Sequence, residues 1–263
     1  VIRFAHHQHT VNNVLQHFAG HQSVEAVLLA GSIAHGYARA ESDVDVLILV
    51  TAEEFARRQA ECALTLYDPA LATYAGGYVD GKFIHRGFIE QVARSGSDAA
   101  RYAFKDARVL WSRIDDLEQL VADASRYPVA DKAERLARFF AQLEAWHWYA
   151  QEALRVDNAY LLTVACAKLA LFGARLVLAE NEWLFPFHKW LLRELAAVPE
   201  QPAGLVEALD DLMRRPDAQR IECFYTLVRG FRPWPEGPAP WPMRFMRDSE
   251  LNWMGGTPPV DDL

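Results

Sequence analysis

The chain has 263 residues, 51% of them hydrophobic, which is enough for one large domain or two smaller ones with buried cores. Its 27 Lys and Arg against 35 Asp and Glu leave a net charge of −8, which argues against a general nucleic-acid binder, because phosphate-tracking surfaces need clustered cations. Cys62, Cys166 and Cys223 are odd in number and widely spaced; they read as buried helical thiols in a reducing cytoplasm, with no disulfide or zinc site.

The first ten residues, VIRFAHHQHT, lack the basic start and apolar run of a secretory leader. His6, His7 and His9 have no Cys or carboxylate at ligand spacing and read as exposed residues ahead of the first helix. Apolar spacing predicts that helix over 11–18, stopped at Gly20. VEAVLLA (24–30) and DVDVLILV (43–50) have the composition of strands. Thr51, with Glu54 three residues on, forms a capping box that predicts a helix over 51–67. After Gly76-Gly77, YVDGKFI (78–84) alternates as a third strand, RGFIEQVARSG reads as a short helix, and ARVLW (107–111) as a fourth strand.

From Asp115 onward the pattern is helical, with segments at 115–125, 130–155, 158–180, 188–197, 204–214 and 218–229 punctuated by prolines. The most apolar of these (161–179) contains Lys168 and Arg175, which are costly in lipid, so it reads as the central helix of a bundle and no membrane association is expected. The last stretch, 231–263, is rich in Pro, Gly and Trp; it is expected to be irregular and to pack on the body through its aromatics. The expected divisions are therefore 1–114, 115–230 and 231–263.

Asp43 and Asp45 lie two apart on a strand, so both side chains leave one face. Paired carboxylates repel unless a cation lies between them, and hard oxygen ligands at this spacing suit Mg²⁺. Gly31 and Ser32 end the preceding strand: the glycine lets a phosphate approach the backbone, and the hydroxyl and N–H groups can donate to it. The plain alternatives are a solvated strand end and an ordinary strand-to-helix turn. His35, in the intervening loop, reads as a surface residue. Trp146, Trp148 and Tyr149 read as bundle core or interface, with stacking on a nucleobase or acceptor ring as the alternative.

Gly31-Ser32 followed by Ser42-Asp43-x-Asp45 and an apolar strand resembles the signature of the DNA polymerase β-like nucleotidyltransferase superfamily, over about residues 24–112. The resemblance implies an α/β (α+β) nucleotidyltransferase domain with a mixed sheet, here followed by an all-α helical bundle. It implies that Gly31 and Ser32 bind the β/γ-phosphates of an NTP, that Asp43 and Asp45 hold Mg²⁺, and that a later strand adds a third carboxylate. Asp80 is the candidate, as metal ligand, as base for the acceptor hydroxyl, or as both, with a turn residue of an Asp80-Gly81 hairpin as the plain alternative. Glu90, on a solvent-facing helix, and Asp106, ahead of a strand, are weaker rivals. Lys82, two residues beyond Asp80, shares its face and is a candidate phosphate contact.

An α/β half followed by helices is similar to aminoglycoside adenylyltransferases. DNAYLLTVACAKLALFG…FPFHKWLLRELAAVP resembles their bundle, in which a lysine before a Trp-containing helix reaches the triphosphate. Lys189 matches it loosely, against the alternative of a surface lysine in a first helical turn. The resemblance implies a cytoplasmic enzyme that transfers a nucleoside monophosphate, AMP from ATP in the first instance, to the hydroxyl of a small-molecule acceptor, with release of pyrophosphate; a homodimer is compatible with it. The alternatives are a nucleotidyltransferase that AMPylates a partner protein and a non-catalytic nucleotide-binding scaffold.

Overall fold

A computed structural model describes residues 2–235, 237–256 and 259–262. Val1, Glu236, Thr257, Pro258 and Leu263, four of them in the expected tail, lie outside the described residues. The chain divides into two compact units, Val1–Arg126 and Tyr127–Leu263.

The first unit runs α1 (Ala5–Phe18), β1 (Val24–Leu29), α2 (Gly31–Ala34), β2 (Val44–Val50), α3 (Ala52–Ala60), β3 (Thr65–Asp68), β4 (Val79–Ile84), α4 (Arg86–Ser95), α5 (Asp98–Tyr102), β5 (Arg108–Ser112) and α6 (Leu117–Ala124). The strands form one mixed sheet in the order β3-β4-β2-β1-β5, in which β2 and β4 pair in parallel and the other pairs are antiparallel. β1 and β2 are central and covered on both faces, which is why their sequences are nearly continuous apolar runs. The pleat sends Val27, Leu29, Val46 and Ile48 toward Val11 and Val14 of α1. It sends Ala26, Leu28, Leu47 and Leu49 toward Ile89 of α4 and Leu117 of α6.

Three local expectations change. The helix capped by Thr51, whose side chain accepts from the Glu54 amide, ends at Ala60. Cys62 then takes a left-handed conformation (φ 55°), and Thr65–Asp68 pairs with β4 as an edge strand, as its β-branched and aromatic alternation suits. The short helix α5 adds a turn capped by Ser97. α6 packs on α4, so the first unit extends to Arg126 rather than ending at Ile114. Of the cysteines, Cys166 is buried, where burial lifts its thiol pKa to about 11, whereas Cys62 and Cys223 are exposed rather than buried.

The second unit runs α7 (Lys132–Arg155), α8 (Ala159–Glu180), α9 (Phe187–Ala197), α10 (Leu205–Arg214), α11 (Ala218–Phe231) and α12 (Trp241–Ser249). α8 is long and apolar enough to cross a membrane by length and composition, but 67% of its most apolar window is buried within this unit. Leu169, Phe172 and Leu176 pack there against Phe139 and Leu143 of α7 and Phe224 of α11. Arg175 is 1% exposed: its guanidinium lies over the rings of Phe139 and Phe185 and donates to the carbonyls of Val260 (3.1 Å) and Asp261 (2.8 Å). The tail is not wholly irregular, since Trp241–Ser249 is helical, with proline tolerated in its first turn. Trp234, Phe245 and Val260 are buried, whereas Trp253 is 74% exposed.

Candidate functional site

Asp45 and Asp80 are register partners across the parallel β2–β4 pair, so two carboxylates arise at the same level of neighbouring strands. Strand spacing alone brings them within about 5 Å. Asp43, just ahead of β2, adds a third by the two-residue period. One carboxylate oxygen from each of the three lies within 4.8 Å of the others. Asp43 and Asp45 are half-buried and Asp80 is exposed, which leaves one side of the cluster open. Asp80-Gly81 is not a hairpin: both residues lie within β4, with Gly81 opposite Leu66 and Val46.

Gly31 abuts this cluster because the Ala30 amide donates to the Asp45 carbonyl (3.0 Å), bringing the end of β1 alongside β2. Gly31 has φ +61°, and a Cβ built on it would lie 1.8 Å from Asp45 Oδ2. Only glycine fits there, for reasons of both conformation and space. Ser32 is 6% exposed, and its Oγ has no hydrogen-bond partner among the described residues. A buried hydroxyl without a partner is costly, so a ligand oxygen beside the turn would satisfy it. Lys82 is exposed on the same face of β4 as Asp80. Lys189 belongs to the second unit, in the first turn of α9, exposed, with its Nζ 5.1 Å from the Trp190 ring centroid.

The rival carboxylates are engaged elsewhere. Glu90 pairs with Arg86 (2.8 Å). Asp106, left-handed at φ 61° ahead of β5, pairs with His35 Nδ1 (3.0 Å). The His35 side chain is 4% exposed, tucked against Tyr37 and Tyr102, rather than on the surface. Of the N-terminal histidines only His9 is exposed; all three lie within α1, and His7 is fully buried. The signal for His7 was present, since it extends the Val11, Val14, Phe18 stripe back by one turn. Its Nε2–H donates to the Ser42 carbonyl (3.0 Å), and that of His6 to the Ala40 carbonyl (2.8 Å). Burial, with His6 alongside, holds the His7 pKa below its ordinary value, so the ring is neutral near pH 7. The Tyr78 phenol, for which the sequence gives no signal, has its pKa raised, foremost by Asp43 beside it.

In the second unit, Trp146 and Tyr149 are partly buried against the core, whereas Trp148 is 52% exposed. Trp146, Tyr149 and Phe245 form an aromatic corner with centroids 5.3 to 6.1 Å apart. They line a cavity of about 590 Å³ that also meets Gln142, Lys168 and Asp248.

No family model matches the chain, and no curated protein matches it. Among solved structures it is similar to a nucleotidyltransferase-like protein from Exiguobacterium sibiricum 255-15, with 12% identity, a TM-score of 0.48, and coverage of 86% of this chain and 73% of that one. Likeness at that level assigns neither family nor chemistry, so the functional reading rests on the site itself.

Proposed function

We propose that the protein is a divalent-metal-dependent nucleotidyltransferase that moves a nucleoside monophosphate from an NTP, AMP from ATP in the first instance, to the hydroxyl of a small-molecule acceptor. The observation that carries this reading is the convergence of Asp43, Asp45 and Asp80 within 4.8 Å, beside a turn where Gly31 leaves room for the Asp45 carboxylate and Ser32 Oγ has no partner among the described residues.

Three carboxylates at this separation fit a hard divalent cation with oxygen ligands, and Asp43, Asp45 and Asp80 would hold Mg²⁺. When bound, Mg²⁺ supplies positive charge to the phosphoryl oxygens and the departing pyrophosphate. Gly31 leaves room for the Asp45 carboxylate to stand against the turn, while Ser32 Oγ and the amides of the turn would donate to the triphosphate oxygens. Lys82, on the Asp80 face, is the proposed cationic contact within this unit. The acceptor oxygen bonds to the α-phosphorus as the bond to the β-phosphate bridge breaks; pyrophosphate leaves, and the hydroxyl proton passes to the exposed carboxylate of Asp80. The helical unit carries an aromatic-lined cavity of about 590 Å³, with the volume and mixed lining of a small-molecule site.

The test is calorimetry with each NTP and Mg²⁺, followed by pyrophosphate release with and without candidate acceptors. Metal-dependent NTP binding that is lost in Asp43→Asn and Asp45→Asn is expected. Binding and turnover unchanged in both variants would overturn the proposal, NTP binding without turnover would favour a scaffold, and label transferred to a protein would favour AMPylation.

A further inference from the structure

Three like charges within 4.8 Å push one another apart, so in the absence of a cation something must hold each carboxylate in place. Asp45 and Asp80 are held by the ladder of β2 and β4. Asp43 is not: it ends the loop that follows α2, one residue before β2 begins. Three side chains take up the task there. The Ser42 carbonyl, adjoining Asp43, accepts from both His7 Nε2 (3.0 Å) and the Tyr74 hydroxyl (2.5 Å). One residue further back, the Ala40 carbonyl accepts from His6 Nε2 (2.8 Å).

These donors are themselves braced. The His6 and His7 rings pack against Tyr74, with centroids 4.5 and 5.2 Å away. The Thr73 hydroxyl donates to the His6 carbonyl (3.0 Å), and Asn13 Nδ2 to the Leu71 carbonyl (3.0 Å), tying the segment before β4 to α1. The Tyr78 carbonyl accepts from the Val44 amide (3.1 Å), tying the end of this segment to the start of β2. Every partner comes from α1 or from the 71–78 segment, and neither supplies a member of the carboxylate cluster.

We infer that His7 and Tyr74, acting through the Ser42 carbonyl, are positioning residues that hold Asp43 toward Asp45 and Asp80, so that a divalent cation meets a pre-formed site. This rests on the metal-dependent reading proposed above. Outer-shell groups that orient a liganding residue commonly change metal affinity ten- to a hundredfold when removed.

The experiment titrates Mn²⁺ against the full chain without nucleotide, following free Mn²⁺ by electron paramagnetic resonance, and in parallel measures backbone amide exchange over 39–45. Tyr74→Phe keeps the ring that packs on His6 and His7 and removes only the donor to the Ser42 carbonyl. It should weaken Mn²⁺ binding about tenfold or more, and speed amide exchange in the loop, while the thermal midpoint stays near that of the wild type. A purely structural role would lower the midpoint and leave Mn²⁺ affinity at 25 °C unmoved. Wild-type affinity in this variant overturns the inference and leaves the metal reading standing. No Mn²⁺ uptake by the wild type overturns both.

Discussion

Gly31→Ala isolates the contact on which the candidate site depends. The new methyl group has two costs. At φ +61° an alanine is worse than glycine by about 1–2 kcal/mol. Its Cβ would also lie 1.8 Å from Asp45 Oδ2 and 2.3 Å from Cγ, so the carboxylate must leave its rotamer, at about 1 kcal/mol more. The expected loss is about 2–3 kcal/mol, which for a unit of this size lowers the thermal midpoint by about 6–12 °C. Gly76→Ala is the control: its φ is +72°, but nothing lies within 4 Å of its Cβ, so only the conformational cost applies. Differential scanning calorimetry of the two variants, with and without Mg²⁺, reads the difference. Gly31→Ala should be the less stable by about 1 kcal/mol and should lose the Mg²⁺-dependent rise in midpoint that Gly76→Ala keeps. Equal losses, with both variants still stabilised by Mg²⁺, would refute the argument that Gly31 exists to make room for the Asp45 carboxylate.

Asp80→Asn should raise the thermal midpoint in EDTA, because removing one of three carboxylates within 4.8 Å relieves about 1 kcal/mol of repulsion, while abolishing stabilisation by Mg²⁺; a lower midpoint in EDTA would show that the cluster is not repulsive. The Glu54 carboxyl is held at about 2, against 4.5 for the free group, foremost by its hydrogen bond from Arg57. A lowered folded-state pKa stabilises the protein above the free value and loses that stabilisation as pH falls through the folded one. With Arg57 half-exposed the effect is about 1 kcal/mol, so chemical denaturation should find Glu54→Gln less stable by that amount at pH 7 and by progressively less from about pH 4.5 toward 2; a gap unchanged at pH 3 contradicts the pairing. Phe172→Ala, at a fully buried position of α8, should cost about 3–5 kcal/mol in urea unfolding, and a loss under 1 kcal/mol would contradict its place in the bundle core.

The parts of the site that were legible in the sequence are those set by local geometry. The two-residue period puts Asp43 and Asp45 on one face whatever the sheet order, and a glycine closing a strand marks a close approach even before its neighbour is known. Asp80 was legible as a strand residue, yet its value to the site comes from standing level with Asp45, and that register is a property of a parallel pair. Parallel strands need a long crossover, and here the crossover hides an edge strand, β3, inside a segment whose capping box announces a helix. The capping box was correct about where α3 starts and carried no information about where it stops. The support for Asp43 was further out of reach: His7 and Ser42 are 35 residues apart, and no local pattern predicts that a helical imidazole will meet that carbonyl.

The same reasoning explains why the helical unit was read better in its long helices than in its tail. α7 and α8 bury apolar residues over many turns, so periodicity and length are sufficient. Proline, glycine and tryptophan in the tail argue for irregular chain by local rules, but proline is excluded only from helix interiors, and α12 places its own proline in the first turn. Arg175 shows what the local rules omit. A guanidinium in an apolar helix implies a requirement for acceptors, and the sequence states the requirement without naming the acceptors. The Val260 and Asp261 carbonyls meet it from 85 and 86 residues away, and Lys168 pairs with Asp261 at the same place. Those residues are therefore part of the core that they close: without their carbonyls Arg175 would be a buried charge with fewer acceptors, one of the costliest defects a packed interior can carry.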